Sequence, residues 1–356
     1  MNLGGMSTPH ALPLLDLSPF AADESSPEAQ AFVDELREVV HTVGFLYVTG
    51  HGVDPELATR IHDVTRAFFA LPEADRLEIE NVNSPQFRGY TRFGHEVTNG
   101  RVDLRDQIDI SREVPARAVS ADEPQWLRLR GPNLWPSALP ELRDVVTDWL
   151  QQLETLGQTL LRALSVALGQ RADHFAEAVD PPEVLLKLIR YVTPSTADSA
   201  DLGDVTARQG VGAHRDTGFL SFVHQDDVGG LQVERDGRFI DVPTVPGAFV
   251  VNIGEMLQLI SGGYFKATVH QVVSPLPGTE RYSVAYFFNP KLEANLVPVA
   301  LPATLAAEAP GGASADPSNP ILANYGDNSL KVRLRAHPDV AERHHADLLA
   351  LGTWTA

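Results

Sequence analysis

From Val184 to about Pro298 the chain is built of short runs rich in β-branched and aromatic residues, each closed by Gly, Pro or Asp. The runs VLLKLIRYV, FLSFVHQ, LQVERDGRFIDV, AFVVNI, ATVHQVV and RYSVAYFF read as strands, and RDGR carries the Asp-Gly signal of a tight hairpin. Many short strands thus recur at similar spacing. They predict a β-sandwich or jelly roll.

The first half has a different texture. LPLLDL (Leu12 to Leu17) and FLYVTG read as strands. Ser26 before Pro27 and Asp54 before Pro55 each pair a capping residue with proline at the first helical position, so helices start there. A third helical pattern runs from Pro140 to Leu168, with Leu142, Val145, Trp149, Leu153, Leu156 and Leu160 as its stripe and Gly157 as a mild weakness within it. Residues from about Pro85 to Pro136 read as irregular. LPATLAAEAPGGASADPSNP reads as an exposed loop, and DVAERHHADLLAL as a closing helix with His344 and His345 in solvent. The expected organisation is a flexible leader over 1–11, a mixed helical region over 12–180, a β domain over 181–300, and a loop with a C-terminal helix over 301–356. Met6 is a possible natural start.

Composition narrows the function. The formal net charge of −19 over 356 residues argues against nucleic acid and anionic membrane surfaces, which need clustered Lys and Arg. No apolar run is long enough for a membrane span, and no secretory layout opens the chain, so a cytoplasmic protein is expected. With no cysteine, thiolate metal sites, disulfides and cysteine nucleophiles are excluded. Any metal is held mainly by His, Asp or Glu, which suits iron, manganese or zinc. Oligomeric state is not legible.

In GVGAHRDTGF, His214 and Asp216 stand two apart and share one face of a strand. The pair alone is either half of a metal site or an ordinary pair at a strand end. His270 follows in ATVHQVV. Two histidines and one carboxylate compose the facial triad of non-haem iron(II) oxygenases, which leaves adjacent positions for a chelating oxo-acid and oxygen. Arg281 and Ser283 in RYS also share a strand face, and a guanidinium fork beside a hydroxyl suits a carboxylate.

The ordered set HRD, KATVHQV and RYS resembles the isopenicillin N synthase-like branch of the iron(II)/2-oxoglutarate-dependent oxygenases. QDDVGGLQV, VNIGEMLQLISGG, FLYVTGHGV, FRGY and GPNLWP are similar to other family segments, so the resemblance spans roughly residues 12–345. It implies an α+β chain, mainly β in its core: a double-stranded β-helix (jelly roll or cupin-like) with flanking helices. It implies Fe(II) on His214, Asp216 and His270, which are then the catalytic centre, with 2-oxoglutarate anchored by Arg281 and Ser283, O2 as oxidant, and Tyr191 beside the cosubstrate. Lys187 falls where the family often places a basic residue, and alternation puts Lys187, Ile189 and Tyr191 on one face with Arg190 on the other. Lys187, Arg88, Tyr90 and Phe219 are the substrate-pocket candidates. The departures are Gly254-Glu255 for the usual Gly-Asp, Ser261-Gly262-Gly263 for Ser-Asn-Gly, and YVTP for Tyr-Pro-Pro. They bear on loop shape. The carboxylate at Asp216 favours hydroxylation, desaturation or ring closure over halogenation.

The implied activity is oxidation of a small molecule, in secondary or amino-acid metabolism, coupled to conversion of 2-oxoglutarate to succinate and carbon dioxide. The motifs are equally compatible with an oxidase of the same fold that uses no oxo-acid, or with an ethylene-forming enzyme. A jelly roll that binds a ligand on its metal without turnover is a third reading.

Overall fold

A computed structural model describes residues 12–195, 206–311 and 320–352. The expected leader over 1–11, and residues 312–319 of the expected loop, lie outside the described residues. Fourteen strands are present among them: β1 (Leu14–Asp16), β2 (Phe45–Thr49), β3 (Gly89–Thr91), β4 (Val97–Thr98), β5 (Arg101–Val102), β6 (Arg105–Ser111) and β7 (Glu183–Tyr191) in the first part. The second part holds β8 (Gln209–His214), β9 (Leu220–Gln225), β10 (Leu231–Arg235), β11 (Arg238–Asp241), β12 (Phe249–Ile253), β13 (His270–Val273) and β14 (Arg281–Asn289). Each run quoted above is a strand, and Asp236-Gly237 joins β10 to β11 with both residues at positive φ, as the tight hairpin requires.

The strands form a larger sheet, β1-β2-β12-β9-β14-β7-β6-β3, and a smaller one, β11-β10-β13-β8. Ile189, Val250 and Ala285 of the larger sheet share one apolar cluster with Val211, Leu231 and Val272 of the smaller. This two-sheet core is the double-stranded β-helix. Strands from the region before 180 extend the larger sheet at both edges, so residues 12–180 are part of the sheet as well as its helical cover. The far face of that sheet, including Leu186, Leu188, Phe222 and Phe288, packs on the helices Pro27–Thr42, Pro55–Ala70 and Glu141–Ala167. Ser26 Oγ accepts from the Ala29 amide and the Asp54 carboxylate from the Glu56 amide, so both caps form as read.

Gly157 is not a weakness. A Cβ there would lie 2.6 Å from the Phe288 ring, so the glycine lets the long helix seat against β14. Gly157→Ala is therefore expected to destabilise the fold by about 1–3 kcal/mol through overpacking. Helix propensity alone would give a gain of roughly 1 kcal/mol. The shift of the denaturation midpoint, by sign alone, decides between them.

Four other expectations need correction. The segment 85–136 contains β6, all seven residues buried, between β7 and β3. Its charges pair across strands and hide the pattern. Residues Ala303–Glu308 are helical within the expected loop. The closing helix is two short ones, Pro338–His344 and Ala346–Ala350, preceded by an unexpected helix Tyr325–Ala336. The inward face of that helix includes Asn328, Lys331 and Arg333, so no apolar stripe announces it. Finally, His345 is buried and stacked on Phe87 at 5.1 Å, not solvated.

Candidate active site

The inner face of the larger sheet lines a cavity of about 770 Å³. Strand alternation decides which side chains reach it. On β7 they are Glu183, Leu185, Lys187, Ile189 and Tyr191; on β14, Arg281, Ser283, Ala285, Phe287 and Asn289. The two strands run antiparallel, with Arg281 opposite Tyr191 and Asn289 opposite Glu183. Arg190 faces the other way and pairs with Asp106 at 2.8 Å.

His214 ends β8 and His270 begins β13, and the two residues are direct partners across those strands. Asp216 follows β8 in a turn that is held by close backbone contact. A Cβ on Gly254 would meet the Gly218 carbonyl at 2.2 Å, and one on Gly218 would meet Asn289 Oδ1 at 1.7 Å. The Glu255 amide donates to the Asp216 carbonyl at 2.7 Å. His214, Asp216 and His270 each offer one ligand atom within 4.8 Å of the others. His214 Nε2 lies 3.4 Å from Asp216 Oδ1 and His270 Nε2 lies 3.7 Å from Oδ2.

The surroundings set tautomer and charge. Nδ1 of His214 faces the Gly212 carbonyl at 2.8 Å and Nδ1 of His270 faces the Thr268 carbonyl at 3.2 Å. Each Nε2 is thereby left as the ligating atom. Burial, aided by the neighbouring His214, pulls His270 down to about 4, so it is neutral near pH 7. Burial also works against the His214 cation, but the hydrogen bond and charge of Asp216 outweigh it and raise its pKa. Asp216 is depressed despite burial, held ionised by both imidazoles and by Asn252. Ser221 Oγ and Asn252 Nδ2 both donate to its Oδ2, which fixes the carboxylate. Two imidazoles and one ionised carboxylate are a donor set that fits iron(II).

Arg281 is 1% exposed. Its Nη2 donates to Gln225 Oε1 at 3.0 Å, and its Nε and Nη1 are buried without partners. Its guanidinium carbon lies 4.7 Å from the centre of the Tyr191 ring. No carboxylate among the described residues pairs with it. A buried cation in that condition suits an incoming carboxylate. Ser283 is buried on the same face, one inward position along.

The substrate candidates separate. Arg88 and Lys187 line the cavity. Lys187 is already engaged, with Glu96 at 2.9 Å and Asp109 at 3.5 Å. Tyr90 and Phe219 are corrections. Tyr90 donates to Asp106 at 2.9 Å and packs on Phe68, and Phe219 is wholly buried against Phe175; neither reaches the cavity. Sequence reading missed Ser221, Gln225, Asn252 and Glu183. Alternation within FLSFVHQ puts Ser221 and Gln225 on one face, and alternation back from Lys187 reaches Glu183, so three of the four were within its range. His224, on the opposite face, pairs with His62 at 2.8 Å, and burial lowers the two to about 4 and 3.

A double-stranded β-helix whose cavity holds both a His-Asp-His cluster and a buried, under-partnered arginine defines an iron(II)- and 2-oxoglutarate-dependent oxygenase. Comparison with known proteins agrees. Residues 12–138 match the family described as non-haem dioxygenase in morphine synthesis N-terminal, and residues 185–290 match the 2OG-Fe(II) oxygenase superfamily. The chain is 33% identical to the 2-oxoglutarate-dependent dioxygenase frbJ of Dothideomycetidae sp. (strain 11243), over 94% of this chain and 91% of that one. It is 32% identical to a homoarginine-6-hydroxylase of Oryza sativa subsp. japonica, over 81% of this chain and 88% of that one. Among solved structures it resembles a full-length Neurospora crassa protein in complex with α-ketoglutarate and thymine, at a TM-score of 0.71 and 27% identity, covering 91% and 96% of the two chains. The chain belongs to the 2OG-Fe(II) oxygenase superfamily, in its isopenicillin N synthase-like branch, and is a non-haem dioxygenase that uses Fe(II), 2-oxoglutarate and O2. No helix among the described residues is long and apolar enough to cross a membrane.

Proposed function

We propose that His214, Asp216 and His270 hold the iron, that Arg281 and Ser283 grip the distal carboxylate of 2-oxoglutarate with Tyr191 against it, and that a small-molecule substrate is oxidised in the rest of the cavity. One observation carries the reading. Three ligand atoms gather within 4.8 Å in the same cavity as a buried guanidinium that no carboxylate of the described residues neutralises. When bound, the iron supplies oxygen activation that couples decarboxylation of the oxo-acid to substrate oxidation.

The remaining work belongs to the side chains. Ser221 and Asn252 keep Asp216 oriented, the Gly212 and Thr268 carbonyls keep both Nε2 atoms directed at it, and the apolar wall of Val211, Leu231 and Val272 excludes water. The names of the relatives, homoarginine hydroxylases among them, support a small substrate in amino-acid or secondary metabolism. We also infer a cytoplasmic location, which the acidic, cysteine-free composition supports.

Anaerobic titration with iron(II) and then 2-oxoglutarate is expected to develop a visible metal-to-ligand band, and to develop none in His270→Ala. Admitting oxygen should release succinate. A band of full strength in His270→Ala would remove that residue from the ligand set.

A further inference from the structure

The cavity contains more positive charge than the iron and cosubstrate use. Among the described residues, five buried Arg and Lys side chains line it: Arg88, Arg105, Lys187, Arg281 and Arg333. Three are neutralised by the protein. Lys187 has Glu96 at 2.9 Å, Arg105 has Asp103 at 3.1 Å and Glu96 at 3.2 Å, and Arg333 donates directly to Asp109. Arg281 is the fourth, assigned above to the cosubstrate. Arg88 is left over.

Arg88 is in part like Arg281, with a loose ion pair where Arg281 has none. It is 4% exposed. Its Nη2 donates to the Leu129 carbonyl at 3.1 Å, and its Nε is buried without a partner. Its nearest carboxylate, Glu183, is 3.9 Å away, outside hydrogen-bond reach. Burial lowers Arg88 to about 10, which Glu183 only partly opposes. Glu183 is the matching half. Its Oε1 accepts from Ser111 at 2.8 Å, and its Oε2 has no hydrogen-bond partner among the described residues. Burial raises its pKa in turn. The Arg88 side chain is 5% exposed and that of Glu183 18%, and the two do not hydrogen-bond each other, so the largely desolvated pair is a costly one.

Position separates this pair from the cosubstrate site. Glu183 lies eight residues along β7 from Tyr191, the partner of Arg281, or roughly 26 Å at the usual strand rise. Ser221, which holds Asp216, is the cross-strand partner of Phe287, one inward position from Asn289 and Glu183. The pair is therefore at the metal end of the sheet. Tyr325 lines the same cavity, and burial together with the charge of Glu183 keeps its phenol protonated as a donor.

A bare anion would meet Arg88 but be repelled by Glu183, and a bare cation the reverse. A ligand with carboxylate and ammonium on neighbouring atoms satisfies both and replaces one loose contact by two charge-assisted hydrogen bonds. We propose that the substrate is a free amino acid, held with its carboxylate on Arg88 and its ammonium on Glu183. This rests on the cavity being the oxygenase site.

The test uses full-length enzyme loaded anaerobically with iron(II) and 2-oxoglutarate. The probes are the proteinogenic L-amino acids and L-ornithine, each beside its Nα-acetyl derivative, its carboxamide and the matching acid without the amine. At least one free amino acid is expected to shift the visible band and, with oxygen, to raise succinate release about tenfold or more. Its blocked and deaminated forms should not. Arg88→Met should raise the half-saturating amino-acid concentration at least about thirtyfold, and Glu183→Gln about tenfold, with the 2-oxoglutarate titration intact as proof that the site is folded. The proposal is overturned if no amino acid moves the band, if blocked forms act as well as free ones, or if both variants saturate like the parent. A band that never forms in the parent protein overturns the iron and cosubstrate assignment instead, and this proposal with it.

Discussion

Asp216→Ala is expected to release no measurable succinate, a loss of at least about a thousandfold. Removing a residue that merely orients a metal ligand costs roughly 10- to 100-fold in metal affinity or activity. Removing the only carboxylate of the three-residue cluster costs more, and it strands two buried donors, Ser221 Oγ and Asn252 Nδ2, that now converge on its Oδ2. Asn252→Ala provides the internal scale, with an expected loss in the 10- to 100-fold range. Iron content by metal analysis and succinate by chromatography check both. Turnover by Asp216→Ala within tenfold of the parent would show that the carboxylate does not ligate.

Arg281→Ala is expected to weaken 2-oxoglutarate while sparing the metal. Truncating one partner of a buried, hydrogen-bonded charge pair costs about 2–5 kcal/mol. At about 1.4 kcal/mol per tenfold, that is roughly 30-fold to several-thousand-fold in the dissociation constant. The guanidinium lies in a place that leaves the loss uncompensated. It is 1% exposed, so water does not replace it readily, and Gln225 Oε1 loses its donor as well. Iron(II) affinity should stay within about threefold, because His214, Asp216 and His270 take no support from Arg281. Equal affinity for the oxo-acid in parent and variant, measured calorimetrically without oxygen, would assign the arginine to packing against Tyr191.

Much of the architecture was readable without coordinates because it is local. Period-two alternation located the strands of the core, and a cap followed by proline located two helix starts to the residue. The proposed site was legible for a related reason. His214 ends β8 with Asp216 two residues on in the turn that follows, and Arg281 and Ser283 share a face of β14, so short spacing keeps each pair together. His270 entered as the second histidine of a triad pattern, no local rule connects it to position 214, and the resemblance to a family implied its role. Where the reading failed, the cause was polar burial. RDQIDIS does not read as the interior of a sheet, yet Asp106 is buried against Arg190 and Asp109 against Arg333. Helix Tyr325–Ala336 was invisible for the same reason.

What the sequence determined by itself was the β-rich core, the helices that cover it, and the residue types at the proposed iron and cosubstrate positions, since periodicity and short spacing express themselves within a few residues. What only the tertiary structure decided was which charges are neutralised. Lys187 meets Glu96 across 91 positions and Arg333 meets Asp109 across 224, while Arg88 reaches no carboxylate of the described residues within hydrogen-bond distance. Such pairings depend on how the chain returns on itself, and a small difference in separation there distinguishes a hydrogen-bonded ion pair from a loose one.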